Sequence, residues 1–310
     1  MTSLLILSKY AETYQQEVEA AHLPSLQILL PGDSAAGSAE IALGEPTLLC
    51  RALPTLPRLK WAQATWAGIE PLLDPALRRD YTLTNARGVF GGLMSEYVFG
   101  YLLARERKIF EREQAQRKQR WDASLTGTLC SKRLGLLGVG SIGAAVARTA
   151  HFFGMTVFGY TRASEAEKEI ERYFHPPLQA HLTEFASELD YLVSVLPNTP
   201  QTQQTVNAEL LAALPARAVF VNVGRGSAVD ESALMRALET GALSGAVLDV
   251  TGQEPLPAQS PLWNAKNLLL TFHTSAPSFP REIAQLFIEN YRRYQAGDVL
   301  RYEVNFSEGY

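Results

Sequence analysis

Short apolar runs recur along the chain and alternate with stretches in which apolar residues are spaced as on one face of a helix. Runs of about four to eight residues rich in Leu, Ile and Val are typical of strands buried in a parallel sheet. The first part of the chain contains one helical segment, at 11–22, and five such runs, at 4–8, 26–30, 46–50, 59–65 and 81–85. Strands that alternate with helices predict an α/β fold with a parallel sheet and helices on both faces.

Residues 92–119 have a different pattern. Leu93, Tyr97, Tyr101 and Ile109 lie at near-helical spacing, and the sequence then becomes strongly charged. The pattern predicts one long helix that is apolar in its first half and solvated later. Acidic and basic residues are interleaved in the charged half, which favours a solvated helix face over a nucleic-acid surface.

A second alternating unit follows the long helix. Its apolar runs lie at 133–140, 156–160, 191–196, 218–223, 245–250 and 268–273. The segment 281–297 then carries Ile283, Leu286, Phe287 and Tyr291 on one side, as expected of an amphipathic helix. The pattern predicts two α/β units, the second inserted before a returning C-terminal helix.

Composition narrows the class of protein. The 310 residues exceed what one hydrophobic core usually serves, which favours two domains. A net charge of −4 without a basic patch argues against a nucleic-acid partner. The longest apolar runs are too short for a membrane span, and the N-terminus lacks a signal-peptide pattern. Cys50 and Cys130 lack metal-site spacing, which predicts no metal site and favours a reduced, cytoplasmic protein.

The stretch LLGVGSIG contains Gly138, Gly140 and Gly143 in a G-x-G-x-x-G pattern, between an apolar strand and a helix of small residues. In this context the first glycine permits a tight turn, the second lets the backbone approach a pyrophosphate, and the third lets helix and strand pack closely. The N–H groups and the positive dipole end of the helix then face the phosphates. The alternative is a glycine-rich turn without a ligand, but the surrounding strand and helix favour a dinucleotide.

The next strand ends in VFGYTRAS, where cofactor choice is usually determined. No Asp or Glu occupies residues 160–162, so no carboxylate is available there to accept the ribose hydroxyls. Arg162 instead suits a 2′-phosphate, because a guanidinium pairs with phosphate through two parallel hydrogen bonds, and Thr161 adds a hydroxyl donor. The sequence therefore predicts NADP(H) in preference to NAD(H), which remains possible. The alternative is that Arg162 is a solvated surface residue.

Four charged or titratable residues follow later strands. Arg225 lies just past one strand, Asp249 and Glu254 follow another, and His273 ends the last. In an open α/β sheet, ligands bind at the carboxyl ends of the strands, so these side chains are expected to converge. Each alone has an ordinary structural explanation, since a single His is often a core residue and a loop Glu is usually solvated.

Together, three of these residues indicate a chemistry. Reduction of a ketone by hydride needs a proton donor for the new alkoxide, and histidine suits this near neutral pH. Glu254 would orient the His273 imidazole and stabilise its protonated form. Arg225 would bind a substrate carboxylate through two hydrogen bonds and polarise the keto oxygen. This arrangement predicts a 2-oxo acid as substrate.

With these residues, the sequence resembles the D-isomer-specific 2-hydroxyacid dehydrogenases, and more narrowly their glyoxylate/hydroxypyruvate reductase A-like branch. The matching stretches are WAGIEPLL, TNARGVFGGLMSEY, LLGVGSIG, LPNTPQT, NVGRGSAVDE, LDVTGQEPLP and FHTSA. The resemblance implies a homodimer of subunits with two Rossmann- or flavodoxin-like domains. The dinucleotide-binding domain, residues 99–275, would be inserted into a substrate domain made of residues 1–98 and 276–310.

The resemblance also implies roles for single residues. The catalytic residues would be Arg225, Glu254 and His273, and Ala67 and Gly68 would bind the substrate carboxylate through their backbone N–H groups. Asp249 would contact the nicotinamide carboxamide. The remaining cofactor contacts would come from the glycine turn and the strand ends, at Val139, Ser141, Ile142, Leu196, Pro197, Val223, Gly224 and Ser275.

Three positions depart from the family pattern. Phe272 replaces the usual Pro before the histidine, and Thr251 replaces the Phe of an Asp-Val-Phe stretch. Trp66 is bulkier than the usual residue beside the carboxylate loop; core packing is the favoured interpretation, and a wall that selects a small or flat substrate is the alternative.

The favoured function is an NADPH-dependent reductase of glyoxylate, hydroxypyruvate or a similar small 2-oxo acid, giving the D-2-hydroxy acid. Two alternatives stay open. One is an NAD-linked dehydrogenase of another D-2-hydroxy acid, and the other is a nucleotide-sensing protein of the same fold without catalysis.

Overall fold

A computed structural model of the chain describes residues 1–162, 165–177 and 181–309. The chain forms two compact units: unit 1 consists of Met1–Phe90 and Pro277–Tyr310, and unit 2 of Gly91–Ala276. The strands are β1 (Thr2–Leu7), β2 (Leu26–Leu29), β3 (Ile41–Gly44), β4 (Trp61–Ala64), β5 (Thr82–Thr84), β6 (Arg133–Leu137), β7 (Thr156–Tyr160), β8 (Arg172–Phe174), β9 (Tyr191–Ser194), β10 (Val219–Asn222), β11 (Gly245–Leu248) and β12 (Leu268–Leu270). The α-helices are α1 (Ala11–Ala20), α2 (Pro46–Ala52), α3 (Gly91–Glu106), α4 (Ile109–Arg117), α5 (Ser141–Phe152), α6 (Leu182–Ala186), α7 (Ala208–Ala213), α8 (Glu231–Thr240) and α9 (Pro280–Ala296).

Unit 1 is built on a five-stranded parallel sheet in the order β2-β1-β3-β4-β5. This is the strand order of flavodoxin-like folds. Apolar residues such as Leu5, Leu49 and Leu83 form a core with α2. Trp61 of β4 is fully buried and stacks on Phe287 of α9 at a ring-centroid distance of 5.1 Å, which packs the returning C-terminal helix onto the sheet.

One predicted strand of unit 1 was wrong. Residues 46–50 form part of α2, and the strand of this region is the earlier run Ile41–Gly44. Pro46 explains the difference: it has no N–H for a sheet but suits the first turn of a helix, where the N–H is not needed. The N–H groups of Leu48 and Leu49 donate to the Glu45 carbonyl at 2.9 Å and begin the helix.

Unit 2 is built on a seven-stranded parallel sheet in the order β12-β11-β10-β9-β6-β7-β8. The sequence-based prediction of an α/β fold with two parallel sheets is thus confirmed. Two apolar clusters cover the sheet: one includes residues of α3 and α5, and the other residues of α6, α7 and α8. The strand order reverses between β6 and β9, and such a switch point forms the crevice in which doubly wound sheets bind ligands. The short strand β8, at the edge, was not predicted.

The single long helix predicted for 92–119 is two helices. Lys108 adopts a left-handed backbone conformation with φ of 53° and separates α3 from α4. Ile109 and Phe110 are about half exposed, so the apolar face of α3 does not continue into α4. Within the described parts of the chain, none of the helices combines the length and the apolar character needed to cross a bilayer.

Candidate active site

The glycine turn between β6 and α5 lies at one side of the switch point in unit 2. Gly138 has a φ of +101°, a conformation that side chains disfavour. A Cβ on Gly143 would lie 2.2 Å from the Gly138 carbonyl oxygen, so helix and turn pack too closely for any side chain. A Cβ on Gly140 would meet nothing within 4 Å, so the backbone there faces open space.

That open space fits a pyrophosphate. Gly140 precedes α5, and among the described residues no acceptor is found for the N–H groups of Gly140, Ser141, Ile142 and Gly143. Val139, in the middle of the turn, is half-buried and packs near Gly159 of β7. Four converging N–H groups at the positive end of a 12-residue helix are suited to bind a phosphate group.

The end of β7 carries the residues predicted to choose the cofactor. Thr161 is buried, and its N–H donates to the Phe174 carbonyl of β8 at 2.9 Å. Its own carbonyl lies 2.9 Å from Nδ1 of His175, whose Nε2 lies 2.6 Å from Glu165. Arg162 is exposed at the surface of the unit. The last two residues of VFGYTRAS, Ala163 and Ser164, lie outside the described residues.

The other side of the switch point is formed by the segments that follow β9 and β10. Leu196 and Val223 are buried, and a Cβ on Gly224 would lie 2.6 Å from the Leu196 carbonyl oxygen, so the two segments touch through their backbones. Thr202 donates to the Pro197 carbonyl at 2.6 Å and fixes the turn. These predicted cofactor residues therefore form one apolar wall at the carboxyl ends of the strands.

The segment bearing Arg225 is held by its backbone. Asn222, the last residue of β10, is fully buried; its side chain accepts from the Gly224 N–H at 3.2 Å and donates to the Arg225 carbonyl at 3.0 Å. A Cβ on Gly226 would lie 2.0 Å from the Thr251 carbonyl, so this segment abuts the segment that leads to Glu254. Asn222 was not singled out in the sequence, although a polar residue ending a buried strand is a signal for such a role.

Glu254 and His273 form a hydrogen-bonded pair. Nδ1 of His273 lies 2.7 Å from Oε2 of Glu254, and Oε1 of Glu254 accepts from the Thr251 N–H at 3.0 Å. Both carboxylate oxygens are thus used, which fixes the orientation of the carboxylate and of the imidazole. Because Glu254 accepts the hydrogen bond of Nδ1–H, Nε2 is the ring nitrogen left for a ligand.

Asp249 holds the segment that carries His273. The Asp249 carboxylate is buried and accepts from the Thr271 hydroxyl at 2.7 Å, from the Thr274 N–H at 2.9 Å and from the Ser275 N–H at 3.1 Å. The His273 N–H donates to the Asp249 carbonyl at 2.6 Å. These four bonds restrain the segment around the imidazole.

The restraint matters because the backbone there is strained. Phe272 and His273 have φ values of 59° and 57°, in the left-handed region that non-glycine residues disfavour. Such a conformation costs about 1–3 kcal/mol for each residue and persists only where the surroundings enforce it. The Ser275 hydroxyl is buried and, among the described residues, finds no hydrogen-bond partner, so it is available to a ligand.

Two residues that the sequence analysis gave no role extend this network. The Thr271 hydroxyl, which donates to Asp249, lies 2.5 Å from the hydroxyl of Tyr97 on α3, so Tyr97 is the donor in that bond. Burial raises the pKa of Tyr97 far above its usual value, which keeps the phenol protonated. The helical spacing of Tyr97 marked it only as a buried face of α3.

Phe272, the residue that departs from the family pattern, packs against Trp263. The ring centroids lie 5.6 Å apart, and both side chains are substantially exposed. The indole N–H of Trp263 donates to the Pro257 carbonyl at 2.9 Å. Phe272 at this position therefore leaves the hydrogen bond between Glu254 and His273 in place.

The predicted carboxylate loop lies in unit 1, directly after β4. Ala67 and Gly68 are half-buried, and among the described residues their N–H groups find no acceptor. Trp66 is 43% exposed, so the favoured interpretation of core packing for this residue was wrong. The buried tryptophan of the region is Trp61, which lies in β4 and is fully buried in the core.

Residues 99–275 match the family model described as "D-isomer specific 2-hydroxyacid dehydrogenase, NAD binding domain". A glyoxylate/hydroxypyruvate reductase A from Salmonella heidelberg is 30% identical over 260 residues, which cover 82% of each chain. The chain therefore belongs to the D-isomer-specific 2-hydroxyacid dehydrogenase family and is an oxidoreductase. Within the family it is similar to the glyoxylate/hydroxypyruvate reductase A group.

Solved structures agree with this placement. A D-isomer-specific 2-hydroxyacid dehydrogenase family protein from Aeromonas salmonicida has a TM-score of 0.90 and 40% identity, covering 98% of this chain and 99% of that one. A family member from Xanthobacter autotrophicus, solved in complex with NADPH and MES, has a TM-score of 0.87 and 32% identity, covering 100% and 99%. The protein is thus an NAD(P)-dependent oxidoreductase of the 2-hydroxyacid dehydrogenase family.

Proposed function

We propose that the protein reduces a small 2-oxo acid of the glyoxylate or hydroxypyruvate type to the D-2-hydroxy acid, with NADPH as the preferred cofactor. The observation that carries the proposal is the Glu254–His273 pair, which follows β11 and β12 at the same carboxyl edge of the parallel sheet as the glycine turn after β6 and Arg225 after β10. The similarity to glyoxylate/hydroxypyruvate reductase A supports the substrate class.

When bound, the nicotinamide supplies the hydride that reduces the keto carbon. His273 donates a proton from Nε2 to the oxygen that becomes the hydroxyl, while its Nδ1–H stays bound to Glu254. Arg225 binds the substrate carboxylate and polarises the keto oxygen through its guanidinium N–H groups. Glu254 holds the imidazole in one orientation before and after the transfer.

The other predicted residues are proposed to bind the cofactor. In this proposal, Asp249 holds the His273 segment and faces the nicotinamide carboxamide together with the Ser275 hydroxyl. The glycine turn binds the pyrophosphate, and the apolar wall after β9 and β10 contacts the adenine and nicotinamide rings. Unit 2 is then the dinucleotide-binding domain and unit 1 the substrate domain. The contribution of Ala67 and Gly68, the homodimer and the cytoplasmic location stay predictions.

The substrate class is tested by steady-state assays of the purified protein with glyoxylate, hydroxypyruvate, pyruvate and larger 2-oxo acids, each with NADPH and NADH. We expect kcat/KM to be highest for glyoxylate and hydroxypyruvate, and higher with NADPH than with NADH. Chiral analysis of the product should give the D-2-hydroxy acid. Absence of turnover with every 2-oxo acid would refute the proposed function, and a clear preference for NADH would refute the cofactor assignment alone.

The preference for NADPH is proposed to rest on Arg162, an exposed side chain at the end of β7. Arg162→Ala should raise the Kd of NADPH by about tenfold to a hundredfold, because hydrogen bonds to a charged group contribute about 1.5–3 kcal/mol of binding free energy. The Kd of NADH should change little. Fluorescence titration of both reduced cofactors gives the two Kd values. Arg148→Ala, on the outer part of α5, serves as a control that removes another exposed arginine. Equal losses for both cofactors would contradict the role of Arg162.

A further inference from the structure

Three of the four carbonyl groups of the loop after β4 are held by donors. This loop, residues 65–68, runs from the end of β4 through the predicted carboxylate-binding residues. Three carbonyls accept hydrogen bonds: that of Thr65 from the Ser278 hydroxyl at 3.2 Å, that of Trp66 from the Ala86 N–H at 3.1 Å, and that of Ala67 from the Asn85 side-chain amide at 3.1 Å. The donors therefore fix three consecutive peptide groups.

The orientation of each carbonyl determines the orientation of the next N–H. In a planar trans peptide the C=O and the N–H point in opposite directions, so holding the carbonyl of residue i aims the N–H of residue i+1 away from that donor. The three held carbonyls aim the N–H groups of Trp66, Ala67 and Gly68. None of these N–H groups finds an acceptor in the parts of the chain that the structure describes. Consecutive backbone N–H groups without internal acceptors are the kind of donors that bind anions where the chain turns.

Asn85 is the buried side chain among these donors. It is 2% exposed, directly follows β5, and its backbone N–H donates to the Tyr302 carbonyl at 3.2 Å. Its side-chain oxygen accepts from the Arg87 N–H at 3.2 Å, which leaves the NH₂ group to face Ala67. Each end of the amide thus has one partner, and the side chain has a single orientation.

We infer that Asn85 is a positioning residue for substrate binding: by holding the Ala67 carbonyl, it aims the Gly68 N–H at the substrate carboxylate. The inference rests on the proposed function, because the anion is the carboxylate of the 2-oxo acid. Without the amide, the half-buried Ala67 carbonyl loses its donor, and the peptide between Ala67 and Gly68 is free to rotate. The N–H of Gly68 then no longer points in a fixed direction.

The test is the kinetic behaviour of Asn85→Leu, which keeps the volume of the side chain, and Asn85→Ala, which does not. With glyoxylate as the probe, both variants should raise KM about tenfold, since a directed hydrogen bond to a carboxylate is lost. The value of kcat should change less than threefold, and the Kd of NADPH should stay the same. Two variants of different size separate the loss of the hydrogen bond from the loss of packing.

Asn207→Ala is the matched control. The Asn207 side chain accepts from the Leu210 N–H at 3.0 Å at the start of α7, so its removal also deletes a structural hydrogen bond. This variant should lower the melting temperature yet leave the KM for glyoxylate unchanged. The inference is overturned if folded Asn85→Leu and Asn85→Ala both keep the wild-type KM for glyoxylate. A tenfold fall of kcat without a rise in KM overturns it as well. Failure of the wild-type protein to turn over any 2-oxo acid would instead refute the proposed function.

Discussion

Replacing His273 by alanine should lower kcat by about a hundredfold to ten-thousandfold, which is the usual contribution of a positioned general acid. The imidazole is exposed enough to reach a ligand, and its Nδ1 is held 2.7 Å from Glu254, so Nε2 is presented in one orientation. Alanine leaves the new alkoxide to take its proton from water. The Kd of NADPH should hardly change, because the proposed cofactor contacts lie on the glycine turn and the strand ends.

Stopped-flow measurement of a single turnover, with enzyme in excess over glyoxylate, shows whether the loss lies in the chemical step. His22→Ala is a suitable control, since His22 lies just after α1 in unit 1 and takes no part in the site. Turnover by His273→Ala within a factor of about three of wild type would show that another group protonates the alkoxide. A loss confined to NADPH binding would assign His273 a role in cofactor binding instead.

Much of the fold was predictable because both sheets are parallel and buried. Strands covered on both faces are continuous apolar runs, and ten of the eleven predicted segments differ in length but not in place from strands of the structure. Where periodicity gave no guidance, single residues decided the outcome. Pro46 begins a helix in an apolar run that looks like a strand, and Lys108 interrupts a helix whose composition shows no break.

The candidate site divides in the same way. Arg225, Asp249, Glu254 and His273 were identifiable as candidates because each is a charged or titratable residue next to an apolar run, and parallel strands bring such ends to one edge of a sheet. The residues that hold them were not. The contacts of Asn222 and Asn85 depend on which strand ends are neighbours and on which backbone group faces them, and neither follows from the spacing of residues along the chain.

The sequence shows which groups are available, and the hydrogen bonds of the structure show which of their atoms are already used. Both oxygens of Glu254 have partners, and three N–H or O–H groups surround the Asp249 carboxylate. The two carboxylates therefore have separate tasks: one orients the imidazole, and the other holds the strained backbone on which the imidazole is carried.

Arg225→Lys should lower kcat/KM for glyoxylate by about a hundredfold, although the substitution keeps the positive charge. A guanidinium offers a planar pair of N–H donors that matches a carboxylate, whereas an ammonium is a point charge without that geometry. The loss should appear both in KM, because carboxylate binding weakens, and in kcat, because the keto oxygen is no longer polarised. The backbone of the segment is fixed by Asn222 and by the close packing of Gly226, so the side chain can change without moving the loop.

Arg236→Lys on α8 is the matched control, because Arg236 is an exposed arginine whose Nη1 lies 3.3 Å from the Ser232 hydroxyl one helical turn away. It should retain wild-type kcat/KM. Adding guanidinium chloride at low concentration to Arg225→Ala tests the geometry directly, since a free guanidinium that enters the vacated space should restore part of the activity. Full activity of Arg225→Lys, together with no rescue of Arg225→Ala, would show that other donors bind the substrate carboxylate. The backbone N–H groups of residues 66–68 would then be the first donors to test.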